Sequence, residues 1–361
     1  MIVVVKIGTS SVTDDRGELH VPALVKLSAE IAVARAAGHR VVVVSSGAIA
    51  AGLPALGLTE RPRDVGTLQA VAAVGQPRLM ERFGACLAEH GLVAGQVLLT
   101  PFDFGHRAQY LHARETLLRL LDLDVVPVIN ENDTVADDEI RYGDNDRLAA
   151  LVAPLVGADL LVMLTDTAGL FTADPRHDAD ASLIEEIVEF DADLEAAAGG
   201  AGTARGSGGM SSKVAAAKIA SWSGVRAVIA NATEPDVVLH AIHGSVVGTV
   251  VQPRADRLPS RKLWIAFARG SSGRLVVDGG ARDAVLGGGR SLLHAGVRSV
   301  DGDFDAEDAV EIVGPDGRVF AKGLVRAAAS VLADVAGRRT EDLPDGVAPA
   351  AVHRDDLVIL P

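Results

Sequence analysis

The chain has 361 residues, 48% of them hydrophobic and only 3% aromatic, and a formal net charge of −14. Such a length can bury the core of one large domain and one small one, while the acidic balance and scarce aromatics argue against nucleic-acid or anionic-membrane binding. A single cysteine, Cys86, excludes an internal disulfide and a cysteine-based zinc site, and it fits a packed core position in a reducing cytoplasm.

The opening MIVVVKIGTS is too short an apolar run for a signal peptide and reads as a strand that begins at once. No run of about 18 apolar residues follows anywhere, so no span of a bilayer is expected. From residue 2 to about residue 252, runs rich in Val, Ile and Leu (IVVVKI, RVVVVSS, VAGQVLLT, DVVPVIN, DLLVMLTD, VRAVIAN) alternate with helical patterns, as buried parallel strands do with their crossover helices. The helical patterns run from Pro22 to Ala37, Thr67 to His90, Ala108 to Leu121, Arg147 to Val156 and Ser211 to Ser223. Residues 1–252 therefore predict a three-layer α/β/α sandwich around a mostly parallel sheet. Two prolines and mixed charges at 253–269 read as a linker. Short strand-like pieces separated by Gly and Asp over 270–351 suggest a small, mostly β, barrel-like domain, and 352–361 a C-terminal tail.

Ligands of such sandwiches sit beyond the carboxyl ends of the strands, so the residues that end each strand carry the chemistry. The first strand ends on Lys6, with Gly8 in the following turn, a pairing suited to an anion; a surface lysine after an edge strand is the bland alternative. The second ends on Ser45, Ser46 and Gly47, a turn of donors for phosphate or carboxylate oxygens or an ordinary helix cap. Thr165 and Asp166 occupy the corresponding edge of the fifth. A glycine-rich entry, GSGGMSSK, carries Ser207, Gly208, Gly209, Met210, Ser211 and Ser212 into Lys213 on the first turns of a helix. The P-loop order is absent, as are the G-x-S-x-G, H-E-x-x-H and protein-kinase sets. The ten histidines are scattered, and none is poised as a general base. INENDTVADDEIRYGDNDRLAA, residues 129–150, places seven carboxylates between Glu131 and Asp146. A solvated loop, a metal cage and a pocket for a cationic substrate would each use them.

Together VVKIGTS, VVSSGAIAAG, VPVINENDTVA, GDND, LLVMLTDTAGLFTADPR and SGGMSSK resemble the glutamate 5-kinase branch of the amino-acid kinase family, and the segment after the linker, closing on AVHRDDLVIL, resembles its PUA domain. The resemblance implies ATP-dependent phosphorylation of the γ-carboxylate of L-glutamate, the first step of proline biosynthesis, in the cytoplasm. It gives Lys6 and Lys213 the role of charge-neutralising lysines and Asp146 that of the carboxylate orienting them. Ser46, Asp133 and Asn145 would hold glutamate, Asp133 at its ammonium and Asn145 at its α-carboxylate. Lys6, Gly8, Thr165, Asp166 and Ser207 to Lys213 would hold ATP, whose phosphates would carry Mg2+ without a dedicated protein metal site. It further implies proline as feedback inhibitor, glutamyl-phosphate reductase as the recipient of the product, and a dimer or tetramer. Asp137, Asp138 and Glu139 are left as a solvated loop. A rival reading, an RNA-binding or RNA-modification factor, rests on the PUA-like segment. Nine Arg and Lys against thirteen Asp and Glu between Gly270 and Ala350, a net of −4, oppose it.

Overall fold

The computed structural model describes all residues except 15–17, 136–144, 179, 191–193, 195–208, 269, 288 and 361. The chain divides into two compact units, Met1–Arg257 and Leu258–Pro361.

The first unit is built on an eight-stranded sheet. Its strands are β1 (Ile2–Ile7), β2 (Arg40–Ser45), β3 (Val93–Leu99), β4 (Val125–Glu131), β5 (Leu160–Thr165), β6 (Glu186–Ile187), β7 (Arg226–Asn231) and β8 (Thr249–Val251), in the order β3-β4-β2-β1-β5-β7-β8-β6. Every pairing is parallel except β7 with β8. The six hydrophobic runs all became strands; β6 and β8 are too short to stand out by pattern.

Alternation along each strand assigns its side chains to opposite faces. Val3, Val5, Val41, Val43, Val126 and Val162 join one core with α2 (Val21–Ala36) and α4 (Val65–Ala88), Cys86 among the latter's buried residues. The even positions of β1, Lys6 included, turn to the other face. There α7 (Asn145–Val156) packs on β1 and β5, beside α6 (Arg107–Asp122) and α8 (Met210–Trp222). The helices at α1 (Thr9–Val12), α3 (Ala48–Gly52) and α5 (Pro101–Gly105) are single turns at the carboxyl ends of strands, and α9 (Val237–His243) lies against α2.

Two glycines let α3 sit where it does. Gly47 has φ +105°, and a Cβ there would lie 2.8 Å from the side chain of Val12. On α4, a Cβ at Gly75 would lie 1.8 Å from the Ala48 carbonyl oxygen, so only glycine allows the two helices to approach this closely.

The second unit carries a six-stranded sheet of β9 (Gly273–Val277), β10 (Leu292–Leu293), β11 (Val297–Gly302), β12 (Ala309–Val313), β13 (Val319–Val325) and β14 (Ala350–Ile359), ordered β10-β14-β13-β12-β9-β11. Only β9 with β12 is parallel. Of the expected linker, 253–269, residues 258–268 belong to this unit and form α10 (Ser260–Leu263) and a π-helical turn, Trp264–Ala268. Of the 352–361 stretch expected as a tail, residues 352–359 supply most of β14, which lies between β10 and β13. Its AVHRDDLVIL run is strand-like in composition, and of the polar residues in its middle Arg354 and Asp355 are exposed while Asp356 is buried. Val352, Leu357 and Val358 nevertheless point into the core, and Asp356 is fixed by Arg261 and Arg326.

Candidate active site

Burying a charge is costly unless it is paired, so the buried ionised groups are where the fold has been constrained for a purpose. Three meet at the carboxyl end of the first sheet. The Nζ of Lys6, at the end of β1, lies 2.6 Å from Oδ1 of Asp146, and the Nζ of Lys213, on α8, lies 3.2 Å from Oδ2. The side chains of Asp146, Lys6 and Lys213 are 0%, 6% and 7% exposed. Ser212 Oγ donates a further hydrogen bond to Asp146 Oδ2 at 2.8 Å. Burial alone would push the Asp146 carboxyl up, but the two ammonium groups, with hydrogen bonds from Lys6 and Ser212, hold it well below the usual carboxylate range. Its place in the first turn of α7, where the helix dipole favours an anion, works the same way. Two ammonium groups thus converge on one carboxylate, shielded from water.

Beside this triad runs a chain of amides. Asn145 Nδ2 donates to Ser46 Oγ (3.0 Å) and to Asn130 Oδ1 (3.1 Å). Asn130 Nδ2 donates to Gln76 Oε1 at 2.7 Å, and the backbone N–H of Glu131 donates to Asn130 Oδ1 at 2.9 Å. Ser46, Gln76, Asn130 and Asn145 are all buried. They come from the end of β2, from α4, from the end of β4 and from the first turn of α7. The helix there starts two residues before the predicted Arg147, and so takes in both Asn145 and Asp146.

The remaining predicted residues lie around these two groups. Gly8 follows β1, and a Cβ on it would sit 3.5 Å from Lys6 Nζ. Thr165 is buried at the end of β5 and donates through Oγ1 to Asp166 Oδ1 at 3.1 Å. Gly209 is the N-cap of α8, and its carbonyl oxygen, 2.8 Å from Ser212 Oγ, shares that hydroxyl's single hydrogen with Asp146; Met210 and Ser211 begin the helix. Asp133, two residues past β4, is partly buried. Burial raises its pKa to about 6, the guanidinium of Arg61 offsetting only part of this. Ser207 and Gly208, and the run Asp137, Asp138 and Glu139, lie outside the described residues.

Sequence reasoning missed Gln76 and Asn130. Asn130 left a signal, a polar residue at the end of an otherwise apolar strand. Gln76 left none, because it lies in mid-helix and its neighbours arrive from other elements.

Residues 1–231 match the model of the amino acid kinase family, and residues 273–347 that of the PUA domain. The chain belongs to the amino acid kinase family. A glutamate 5-kinase of Herpetosiphon aurantiacus is 46% identical to it over 99% of this chain and 98% of its own length. One of Myxococcus xanthus is 47% identical, over 99% and 96%. Likeness of that extent places the chain with the glutamate 5-kinases inside the wider family. An X-ray structure of isopentenyl phosphate kinase, 18% identical, superposes with a TM-score of 0.52 over 70% of this chain and all of its own, a likeness of fold.

Proposed function

We propose that the protein transfers the γ-phosphoryl group of ATP to the γ-carboxylate of L-glutamate, giving γ-glutamyl phosphate and ADP, the step that opens proline biosynthesis. The observation that carries this is the water-shielded cluster in which Lys6 and Lys213 converge on Asp146 at the carboxyl ends of the strands. An anionic carboxylate must approach an anionic phosphate, and at ~4 Å two like unit charges repel by about 4 kcal/mol at an effective dielectric of 20. Fixed cations in a dry site offset that repulsion most when charge spreads over the phosphoryl group in flight.

The reaction is an in-line displacement. A γ-carboxylate oxygen forms a bond to the γ-phosphorus as the bond to the β–γ bridging oxygen breaks, and ADP departs with that electron pair. No general base is needed, since a glutamate carboxyl with pKa about 4.3 is already ionised at neutral pH. Lys6 and Lys213 hold the transferring group, Asp146 holds the lysines, and Thr165, Asp166 and the start of α8 hold the nucleotide. Asp133 and Ser46 face the ionic groups of glutamate. Among the described residues no group of three or more His, Cys, Asp or Glu side chains stands ready to hold a metal, and Asp146 is engaged by lysines. Magnesium fits this site as a cation carried on the phosphates of ATP, where it would neutralise charge.

The family resemblance extends the proposal to proline as an inhibitor competing with glutamate, to a homo-oligomer, and to delivery of the labile acyl phosphate to glutamyl-phosphate reductase. Among the described residues no helix is long and apolar enough to cross a membrane. ADP release should be assayed against glutamate, aspartate, N-acetylglutamate, carbamate and UMP. Glutamate alone should support turnover, and a larger kcat/KM with any other acceptor would sink the reading.

A further inference from the structure

The chain of amides next to the triad has a direction, and that direction sets what the site can recognise. An amide side chain can be turned either way until something of fixed polarity touches it. Here that fixed group is the backbone N–H of Glu131, which can only donate, so the atom of Asn130 that it meets is the oxygen. The same oxygen is approached by Asn145, which must therefore present its NH2 group. The other atom of Asn130 is then its nitrogen, which requires an acceptor from Gln76 and finds Oε1. Gln76 is left with its own NH2, which reaches Gln96 Oε1 at 3.4 Å.

Two consequences fall on the site. Both Nδ2 hydrogens of Asn145 are engaged, one by Asn130 and one by Ser46, while its Oδ1 is buried without a hydrogen-bond partner. An unpaired acceptor hidden from water is an energetic cost that a bound donor would relieve. Ser46, having accepted from Asn145, keeps its own hydroxyl hydrogen to give away. Asn145 is thereby an acceptor and Ser46 a donor, the reverse of the role in which Asn145 hydrogen-bonds a carboxylate.

We infer that Gln76 is a positioning residue that holds Asn130 in the polarity the Glu131 N–H sets, so that Asn145 Oδ1 accepts from the α-ammonium of the substrate while Ser46 Oγ donates to a carboxylate. The inference rests on the proposed use of an amino acid as acceptor. It adds that the site reads the ammonium through a neutral acceptor held in one orientation, in addition to any carboxylate. Gln76 touches no reacting atom. Its Oε1 holds Asn130 in place from the side opposite the Glu131 N–H.

The test compares glutamate with glutarate, the same diacid without the ammonium, in the full-length wild type, in Gln76→Met and in Gln76→Glu. Methionine keeps the length and removes the acceptor for Asn130; glutamate at this position keeps it. Wild type should prefer glutamate, by kcat/KM from ADP release. Gln76→Met should raise the glutamate KM on the order of tenfold and shrink its preference over glutarate correspondingly, with the ATP KM moved less than about twofold. Gln76→Glu should restore the preference. A merely structural role would lower the melting temperature and leave the glutamate-to-glutarate ratio intact in both variants, and that result would overturn the inference. Should Gln76→Met fail to fold, Gln76→Glu decides, since loss of the preference with the acceptor retained contradicts the scheme. A wild type that turns over neither diacid would instead defeat the proposed function.

Discussion

Each unit buries one aspartate between two cations, and the two arrangements differ in the cations. In the first unit Asp146 lies between Lys6 and Lys213, all three hidden from solvent. In the second, Asp356 accepts from Arg261 at 2.8 Å and 2.5 Å and from Arg326 at 2.6 Å, yet those arginines are 56% and 38% exposed. Arginine presents a planar fork that ties an anion in several directions while water still solvates its far side, which suits a structural pin. Here the pin fastens α10 and the end of β13 to β14. Lysine is a compact point charge with three donors, and here two of them meet one carboxylate with all three side chains hidden from water. The same count of charges thus gives a solvent-facing arginine joint in one place and a dry lysine cluster at the strand ends in the other.

The sharpest way to break that comparison is to neutralise each aspartate. Asp146→Asn leaves two ammonium groups facing each other out of water, and breaking a buried pair in this way costs about 3–5 kcal/mol. Turnover should fall by about 10²–10³-fold, as each 1.36 kcal/mol of barrier is tenfold, measured by ADP release at saturating glutamate and ATP. If turnover survives, the lysines do not depend on their anchor. Lys213→Ala should cost on the order of 10²-fold in kcat, with a much smaller change in glutamate KM, because its charge is needed most in the transition state. An unchanged kcat would remove Lys213 from the chemistry.

A smaller effect belongs to Asp133, whose carboxyl is partly buried and has its pKa raised by that burial to about 6. The glutamate ammonium needs the ionised form, so affinity is full above that pKa and is lost as pH falls through it. Below about pH 6, kcat/KM for glutamate should drop roughly tenfold per pH unit. Asp133→Asn should lower kcat/KM at neutral pH and flatten that limb; a limb that persists belongs to another group. Smallest for catalysis is Asp356→Asn, which should leave kcat within about twofold and reduce stability by about 1–3 kcal/mol through loss of the arginine contacts, read by chemical denaturation. A large loss of turnover there would show that the second unit's joint is coupled to the chemistry.

Much of the fold was legible because β1, β2, β4, β5 and β7 are covered on both faces and so read as unbroken apolar runs. The polar residues that end such runs, Lys6, Ser46 and Thr165, stand out for the same reason. The extent of β14 was not legible, since the polar HRDD stretch breaks its apolar alternation, nor was the departure of β8 from the parallel order, which three residues cannot signal. Gln76 was hidden because nothing in a helical pattern reports that a glutamine meets Asn130, which is far from it in sequence.

The sequence by itself determined where the strands run, that lysines and hydroxyls would collect at their carboxyl ends, and that seven carboxylates would crowd one short stretch. Only the tertiary structure decided what each of those polar groups became. Asp133 and Asp146 are the same residue type in the same stretch, yet burial raises the pKa of one and two ammonium groups hold the other low. Asn145 offers its oxygen because a backbone N–H two neighbours away fixes the direction of the chain of amides. Composition supplies charges and amides, but desolvation and the polarity of the surrounding groups set their function, and both depend on elements distant in sequence.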